Sequence, residues 1–143
     1  MCILKIFSDT DSFKPYAVRT SIPVYSVADA DDIRQKRTGR QHGVYRISFD
    51  VSGREWDDFP GQMTDAIAFL TQHGDAIRAL INAHSISSAY LDFPLWSRLD
   101  GNIVNQNDHL PVELISQCAL AGLGIELAIY HREAFQETPP SGA

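Results

Sequence analysis

The chain has 143 residues and a net charge of −6, and 44% of its residues are hydrophobic. This size and composition predict one globular domain with a buried core, placed at residues 1–135. The acidic balance argues against a general binder of the nucleic-acid backbone, which usually needs a basic face. Two cysteines, Cys2 and Cys118, have no metal-binding spacing and form no disulfide framework, which predicts a reducing, cytoplasmic location. No apolar run reaches the roughly 20 residues of a membrane-spanning helix.

The N-terminal third of the chain predicts extended structure. Residues 2–8 alternate in side-chain character, as a strand with one wetter face does. Residues 17–27 are rich in β-branched and aromatic side chains, but they include Pro23, which cannot donate to a ladder of main-chain hydrogen bonds. We therefore expect an edge strand or an irregular arm there.

Residues 28–43 divide into an acidic half, with Asp29, Asp31 and Asp32, and a basic half. One interpretation is a loop that binds nucleic acid or an acidic partner. The other is a solvated loop whose opposite charges largely cancel, and we favour it because no aromatic side chains are interleaved to stack on bases. The basic residues concerned are Arg34, Lys36, Arg37 and Arg40.

The middle of the chain predicts a strand, a helix and a strand. Residues 44–51 and 86–93 alternate with a period of two residues. Between them, an apolar stripe predicts a helix over residues 63–83, with Asp57 or Asp58 available to cap it and Pro60 in or near its first turn. Gly74 predicts a weakened or kinked point in that helix.

The most regular stretch of the chain is LPVELISQCALAGLGIELAIY, residues 110–130. Apolar residues at three- and four-residue steps predict a helix over residues 110–123, with Asp108 as a candidate cap and Gly122 and Gly124 at its end. The period then changes to two, which predicts a strand over residues 124–131. The tail from Gln136 to Ala143 is predicted to be disordered.

Together these elements predict an α+β fold, with a mostly antiparallel sheet of four or five strands and two helices packed on one face. The helix over residues 110–123 can connect two parallel strands. The side chains expected to cover the sheet are Ile67, Leu70, Ile77, Ile115 and Cys118.

No catalytic, cofactor-binding or metal-binding residues are predicted. The sequence has no nucleophile-elbow motif, no phosphate-binding loop and no dinucleotide fingerprint, and its five histidines lack metal-ligand spacing. Cys118 lies on the apolar side of its helix, which is typical of an unreactive core thiol.

One polar and aromatic set is a candidate partner-binding patch. Aromatic and charged side chains at the end of a strand are the types that binding hot spots commonly use. The patch comprises Tyr90, Asp92, Trp96, Arg98 and Asp100. The leading hypothesis is therefore a non-enzymatic interaction module that binds a protein partner. The alternative is a small hydrolase or small-molecule-binding domain, with Asp92, Asp100, His109 and His131 lining one cleft.

Two segments carry a resemblance to known families. ISSAYLDFPLW, followed by LPVELISQCALAGLGIELAIY, resembles the C-terminal half of small bacterial α+β domains of unknown function, over residues 44–131. In size, acidity and lack of a catalytic motif the chain also resembles small immunity proteins of bacterial toxin systems. The second resemblance implies a protein partner and no catalysis.

The irregular segment around Pro23 also bears on association. A strand that is too irregular to shield its neighbour would leave the edge of residues 44–51 or 2–8 open. The same strand of a second copy could then pair with it, which favours a homodimer.

Overall fold

The computed structural model describes residues 1–136 and shows an α+β fold built on a five-stranded sheet. The strand order is β2-β5-β1-β6-β7, and a separate two-stranded ribbon is formed by β3 and β4. In chain order the elements are β1 (Cys2–Ser8), α1 (Lys14–Ala17), β2 (Val24–Ala28), β3 (Ile33–Gln35), β4 (Arg40–Gln41), β5 (Tyr45–Ser52), α2 (Phe59–Ala83), β6 (Ser88–Trp96), α3 (Val112–Ala121) and β7 (Gly124–Tyr130).

The sheet is mixed: three of its four strand pairings are antiparallel, in keeping with the predicted mostly antiparallel sheet, and one is parallel. β1 pairs antiparallel with both β5 and β6, and β2 pairs antiparallel with β5, but β6 and β7 are parallel. β6 and β7 are parallel because α3 connects them and returns the chain to the end of the sheet where β6 began. As the sequence predicts, this helix can connect two parallel strands. Residues 1–136 contain three helices rather than the two predicted. The additional one, α1, is a single turn with Pro15 near its start, too short to give a periodic pattern.

The core lies between one face of the sheet and the two long helices. Alternate side chains of β1 are buried there, and the inward residues of β5 and β6 join them in one hydrophobic cluster with α2 and α3. Among residues 1–136 no helix covers the opposite face, which we call the outer face. The outer-face residues of β1 are Ile3, Lys5 and Phe7, those of β6 include Tyr90, Asp92 and Trp96, and those of β7 include Glu126 and Tyr130.

The sheet edges differ from the ones expected for self-association. β2 pairs with β5 in spite of Pro23, which precedes the strand, and β1 is the central strand. The prediction that residues 44–51 or 2–8 form an open edge is therefore wrong. The edges are β2 and β7.

α2 begins before the predicted range of residues 63–83, but its cap is Asp58 and its first turn contains Pro60, as predicted. The Asp58 carboxylate accepts a hydrogen bond from the Gly61 N–H at 2.9 Å, and the helix starts at Phe59. The helix ends at Ala83, as predicted. Gly74, where a weakened or kinked point was predicted, lies inside this one continuous helix.

α3 is shorter than predicted at both ends. Pro111 occupies the N-cap position, so Asp108 does not cap the helix. Gly122 ends it with a φ of +80°, and the Leu123 N–H donates to the Cys118 carbonyl at 2.8 Å. This left-handed ending confirms the glycine stop, since glycine has no Cβ to clash in that conformation.

One core residue of α3 was assigned to the wrong side. Ile115 is 48% exposed, while Leu114, Cys118 and Ala121 form the buried stripe. Their four- and three-residue spacing places these three side chains on one face of the helix. Each helical residue is rotated by about 100° from the one before it, so Ile115 points away from that face. Leu70, Ile77 and Cys118 are buried as predicted, and Ile67 packs against the core while partly exposed.

No helix within residues 1–136 is long and apolar enough to cross a membrane. The predicted tail of residues 136–143 lies, apart from Gln136, outside the described residues.

Both cysteines are free and buried, which leads to a reactivity prediction. Burial raises the pKa of Cys2, and burial raises the pKa of Cys118 to about 11. A thiol pKa two units above normal lowers the thiolate fraction about 100-fold at a given pH below it. We expect thiol labelling at pH 8 to be at least about 100-fold slower in the native chain than in guanidinium chloride. A fast labelling phase of the native chain would contradict this expectation.

Candidate functional site

The outer face carries a cross-strand ion pair at its centre. The Lys5 ammonium lies 2.5 Å from the Asp92 carboxylate, on neighbouring strands β1 and β6. Burial lowers the pKa of Lys5, but the hydrogen bond and charge of Asp92 outweigh it and leave that pKa raised. The other Asp92 oxygen is buried with no hydrogen-bond partner among residues 1–136. Asp92 is thus held in the sheet by Lys5, beside Glu126 of β7.

Four aromatic rings meet where β6 and β7 end, and we call them the aromatic cluster. Trp96 and Tyr130 are register partners at the last paired position of β6 and β7. The Trp56 ring lies 4.7 Å from Trp96 and 4.9 Å from Tyr130, and the Phe135 ring lies 5.7 Å from Tyr130. These centroid distances are those of interacting aromatic pairs.

Two loops bring the outer members of the aromatic cluster to the sheet. Trp56 lies between β5 and α2, and its carbonyl accepts a hydrogen bond from the Trp96 N–H at 3.5 Å. Phe135 follows a turn in which the Ala134 N–H donates to the His131 carbonyl at 2.9 Å. Phe135 is 64% exposed, so the aromatic cluster is open to solvent on that side.

Two ion pairs flank the aromatic cluster. Arg132 lies 3.1 Å from the Asp57 carboxylate, and Arg98 lies 2.8 Å from the Asp108 carboxylate. The two arginines, Asp57 and both tryptophans line a cavity of about 170 Å³. A polar rim around an apolar centre is common at protein–protein interfaces.

The structure distributes the predicted partner-binding patch over three places. Tyr90 and Asp92 lie along the outer face, with Tyr90 stacked against Phe7 at 6.0 Å. Trp96 belongs to the aromatic cluster, and Arg98 lies beside it. Asp100 lines a neighbouring cavity, which also includes His131 and Glu133.

Sequence reasoning missed three members of the aromatic cluster, namely Trp56, Tyr130 and Phe135. The one available signal was the parallel pairing of β6 with β7, which would have aligned the strand ends at Trp96 and Tyr130. Trp56 and Phe135 come from loops, whose return to the sheet has no periodic signature.

The four residues of the alternative carboxylate and histidine cleft are not together. Asp92 is paired with Lys5, and His109 lines a different cavity from the one that Asp100 and His131 share. The His131 Nδ1 lies 4.0 Å from the Glu133 carboxylate, beyond hydrogen-bonding distance. Residues 1–136 also contain no group of three or more histidine, cysteine or acidic side chains placed to hold a metal ion.

The charges of residues 28–43 are separated instead of cancelling. β3 and β4 form a two-stranded ribbon, which we call the hairpin arm. Asp29 and Asp32 pair with Lys14, at 3.4 Å and 2.8 Å, and not with the basic half. The acidic and basic halves therefore do not pair with each other, although their opposite charges still nearly balance in number. Within residues 1–136 no acidic side chain forms an ion pair with the exposed basic residues of the hairpin arm, which are Arg34, Lys36, Arg37 and Arg40.

No protein-family model, curated protein or solved structure matches this chain. The resemblance to small bacterial domains and to immunity proteins therefore stays a prediction.

Proposed function

We propose that the chain is a non-enzymatic interaction module whose binding site is the aromatic cluster, and that its partner is a protein with a basic contact surface. An immunity-type or regulatory role is the form of this function that the sequence resemblance favours. The observation that carries the proposal is the meeting of four aromatic rings at an open surface, with Phe135 64% exposed.

The aromatic cluster has the physical properties of a binding hot spot. Tryptophan and tyrosine dominate such sites because each buries a large area while ordering few rotatable bonds. Here the rings already contact one another, so little side-chain freedom remains to be lost on binding. A folded chain gains nothing from leaving such rings in water, and a partner that covers them removes apolar area from solvent.

The charges near the aromatic cluster favour a basic partner. Both nearby arginines, Arg98 and Arg132, are already paired with carboxylates. Three further exposed carboxylates, those of Glu55, Asp100 and Glu133, have no lysine or arginine partner among residues 1–136. The register places the hairpin arm beyond the opposite end of the sheet, where Ser8 faces Tyr45. The end of the sheet that carries the aromatic cluster is thus acidic, and its negative charge would attract a basic surface of the partner during encounter.

The alternative of a small hydrolase or small-molecule-binding domain has weaker support. The four predicted cleft residues do not share a cavity: Asp100 and His131 line one of about 130 Å³, and His109 lines another of about 360 Å³ that contains neither of them nor Asp92. Small-molecule sites usually have volumes of roughly 300–1,000 Å³.

The proposal is tested by capture followed by reconstitution. The full-length chain is immobilised and exposed to a lysate of its source cells, and each captured protein is then purified and titrated by calorimetry. We expect direct binding by a basic protein, with an affinity that falls as salt is added, because the charges at the site are exposed. A chain that binds none of the purified candidates while it converts a small molecule would overturn the proposal.

A further inference from the structure

The two edges of the sheet are protected to very different degrees. β2 has five residues, follows Pro23 and has an irregularity in its pairing between Val24 and Ser26. β7 has seven residues and pairs with β6 in unbroken register from Gly124 to Tyr130. It contains no proline, lysine or arginine, and Glu126 is its one charged residue. Proline, bulges and charged side chains are the usual means of keeping an edge strand unpaired, so β7 lacks most of them.

One side of β7 has no main-chain partner in the described part of the chain. Its hydrogen bonds within residues 1–136 go to β6, and the Tyr130 carbonyl accepts one more from the Ser97 N–H at 2.7 Å. The N–H and C=O groups that point away from β6 therefore have no strand partner within residues 1–136. Such a row of groups is a template for another strand.

The sequence of β7 complements itself in one antiparallel register. If Leu127 lies on a two-fold axis, Ile125 faces Ile129 of the second copy, and Glu126 faces Ala128. Gly124 faces Tyr130, so an aromatic ring covers the position that has no side chain. All residues of the strand are paired in this register, and no like charges are directly opposite.

The neighbouring registers are less favourable. An axis at Glu126 places the two Glu126 carboxylates directly opposite each other, which is destabilising. An axis at Ala128 leaves Gly124 and Ile125 without partners inside the strand. Self-pairing is therefore specified by side chains and not only by the main chain.

We propose that β7 is a homodimerisation edge, which pairs antiparallel with β7 of a second copy about Leu127. A two-fold axis perpendicular to the sheet joins the two five-stranded sheets into one and keeps the helices of both copies on the same side. The exposed core-side residue Ile129 then gains an apolar neighbour. α3, which packs on the same side, exposes Val112 and Ile115 as well.

Pairing of two β7 strands would extend the surface available to the proposed protein partner, but binding of that partner does not require the dimer. Both outer faces become continuous, and the two Tyr130 residues lie about 20 Å apart along the strands, from six residues at roughly 3.3 Å each. The dimer would thus present two aromatic clusters on one side. Because the proposal depends on β7 alone, a monomeric chain that still binds its basic partner would refute the dimer and leave the proposed function intact.

The test is the mass of the full-length chain by light scattering and sedimentation over a dilution series. We expect a reversible shift from twice the chain mass of 15.9 kDa to that mass on dilution. A mass of 15.9 kDa at every concentration up to the solubility limit would overturn the proposal. The proposal would also be overturned if the full-length chain were monomeric while a shorter chain ending at Gln136 formed dimers. Residues 137–143 would then occupy the edge.

Charge substitutions test the register. Ala128→Lys places a cation opposite Glu126 of the second copy, twice per dimer, and Ala128→Glu places a like charge there. We expect the first to tighten and the second to weaken the dimer, each by roughly three- to tenfold in Kd. Equal effects of the two substitutions would refute this register.

Ile129→Lys, with its matched control Ile33→Lys, tests the edge itself. Both isoleucines are exposed and lie in strands, at 53% and 60% exposure, but Ile33 belongs to the hairpin arm. Ile129→Lys replaces the apolar pair with Ile125 of the second copy by a charge that faces no carboxylate, and it should weaken the dimer by roughly tenfold while Ile33→Lys leaves it unchanged. Equal masses for the two variants at every concentration would contradict the assignment of the edge.

Discussion

Truncating Phe135 to alanine is expected to weaken binding of the protein partner at least about tenfold while leaving the free energy of unfolding nearly unchanged. The Phe135 ring is the most exposed of the aromatic cluster, and it contacts Trp56, Trp96 and Tyr130 at 5.7 to 6.0 Å. Because most of its surface is in water in the free chain, its removal costs the fold little. A partner that covers the ring would lose that contact and leave a void in the interface.

The matched control is Tyr25→Ala. Tyr25 is also an exposed aromatic residue, at 53%, but it lies on β2 at the far edge of the sheet. Calorimetric titration should give a Kd within about twofold of the unsubstituted chain for this control. If both substitutions weaken binding equally, the aromatic cluster is not the contact site.

Truncating Phe93 to alanine should have the largest effect on stability, a loss of about 3–5 kcal/mol in the free energy of unfolding. Phe93 lies on β6, is fully buried and packs edge-on against Phe59 at 5.5 Å. The loss combines the transfer free energy of the ring with the cavity left between the sheet and the start of α2. Urea denaturation followed by circular dichroism measures it.

Two further variants make the result interpretable. Phe135→Ala removes the same side chain from an exposed position and should cost about 0.5 kcal/mol or less. Phe93→Leu keeps most of the side-chain volume and should lower the free energy of unfolding by about 1.5 kcal/mol or less. Its stability can therefore be measured even if Phe93→Ala does not fold. A loss below about 1 kcal/mol for Phe93→Ala would contradict the placement of this ring in a close-packed core.

The regular elements followed from sequence because each has a periodic apolar face. Alternation predicted the strands β1, β5 and β6 to within a few residues, and Gly122 predicted the end of α3. The same reasoning misplaced Ile115, because the rotation of a helix about its own axis is fixed only when residues such as Leu114 and Cys118 are buried in the core. The start of α2 lies before the apolar stripe, at the cap that Asp58 was predicted to provide.

The site was less predictable than the fold because it is assembled from distant segments. Trp96 and Arg98 were identified as candidates, but Trp56 and Phe135 reach Trp96 across 40 and 39 residues of chain, through loops with no sequence period. The separation of charge on the hairpin arm has a similar origin. Lys14 of α1 pairs with Asp29 and Asp32, and a helix of a single turn was not foreseen.

The central claim, that a partner covers the aromatic cluster, can be observed directly by fluorine NMR. The chain has two tryptophans, Trp56 and Trp96, and both belong to the aromatic cluster. Fluorinated tryptophan therefore places both probes at the proposed site and none elsewhere in the chain. On titration with the purified partner, both resonances are predicted to shift or broaden in proportion to the bound fraction. Saturating binding, established by calorimetry on the same sample, with both resonances unchanged would contradict the account.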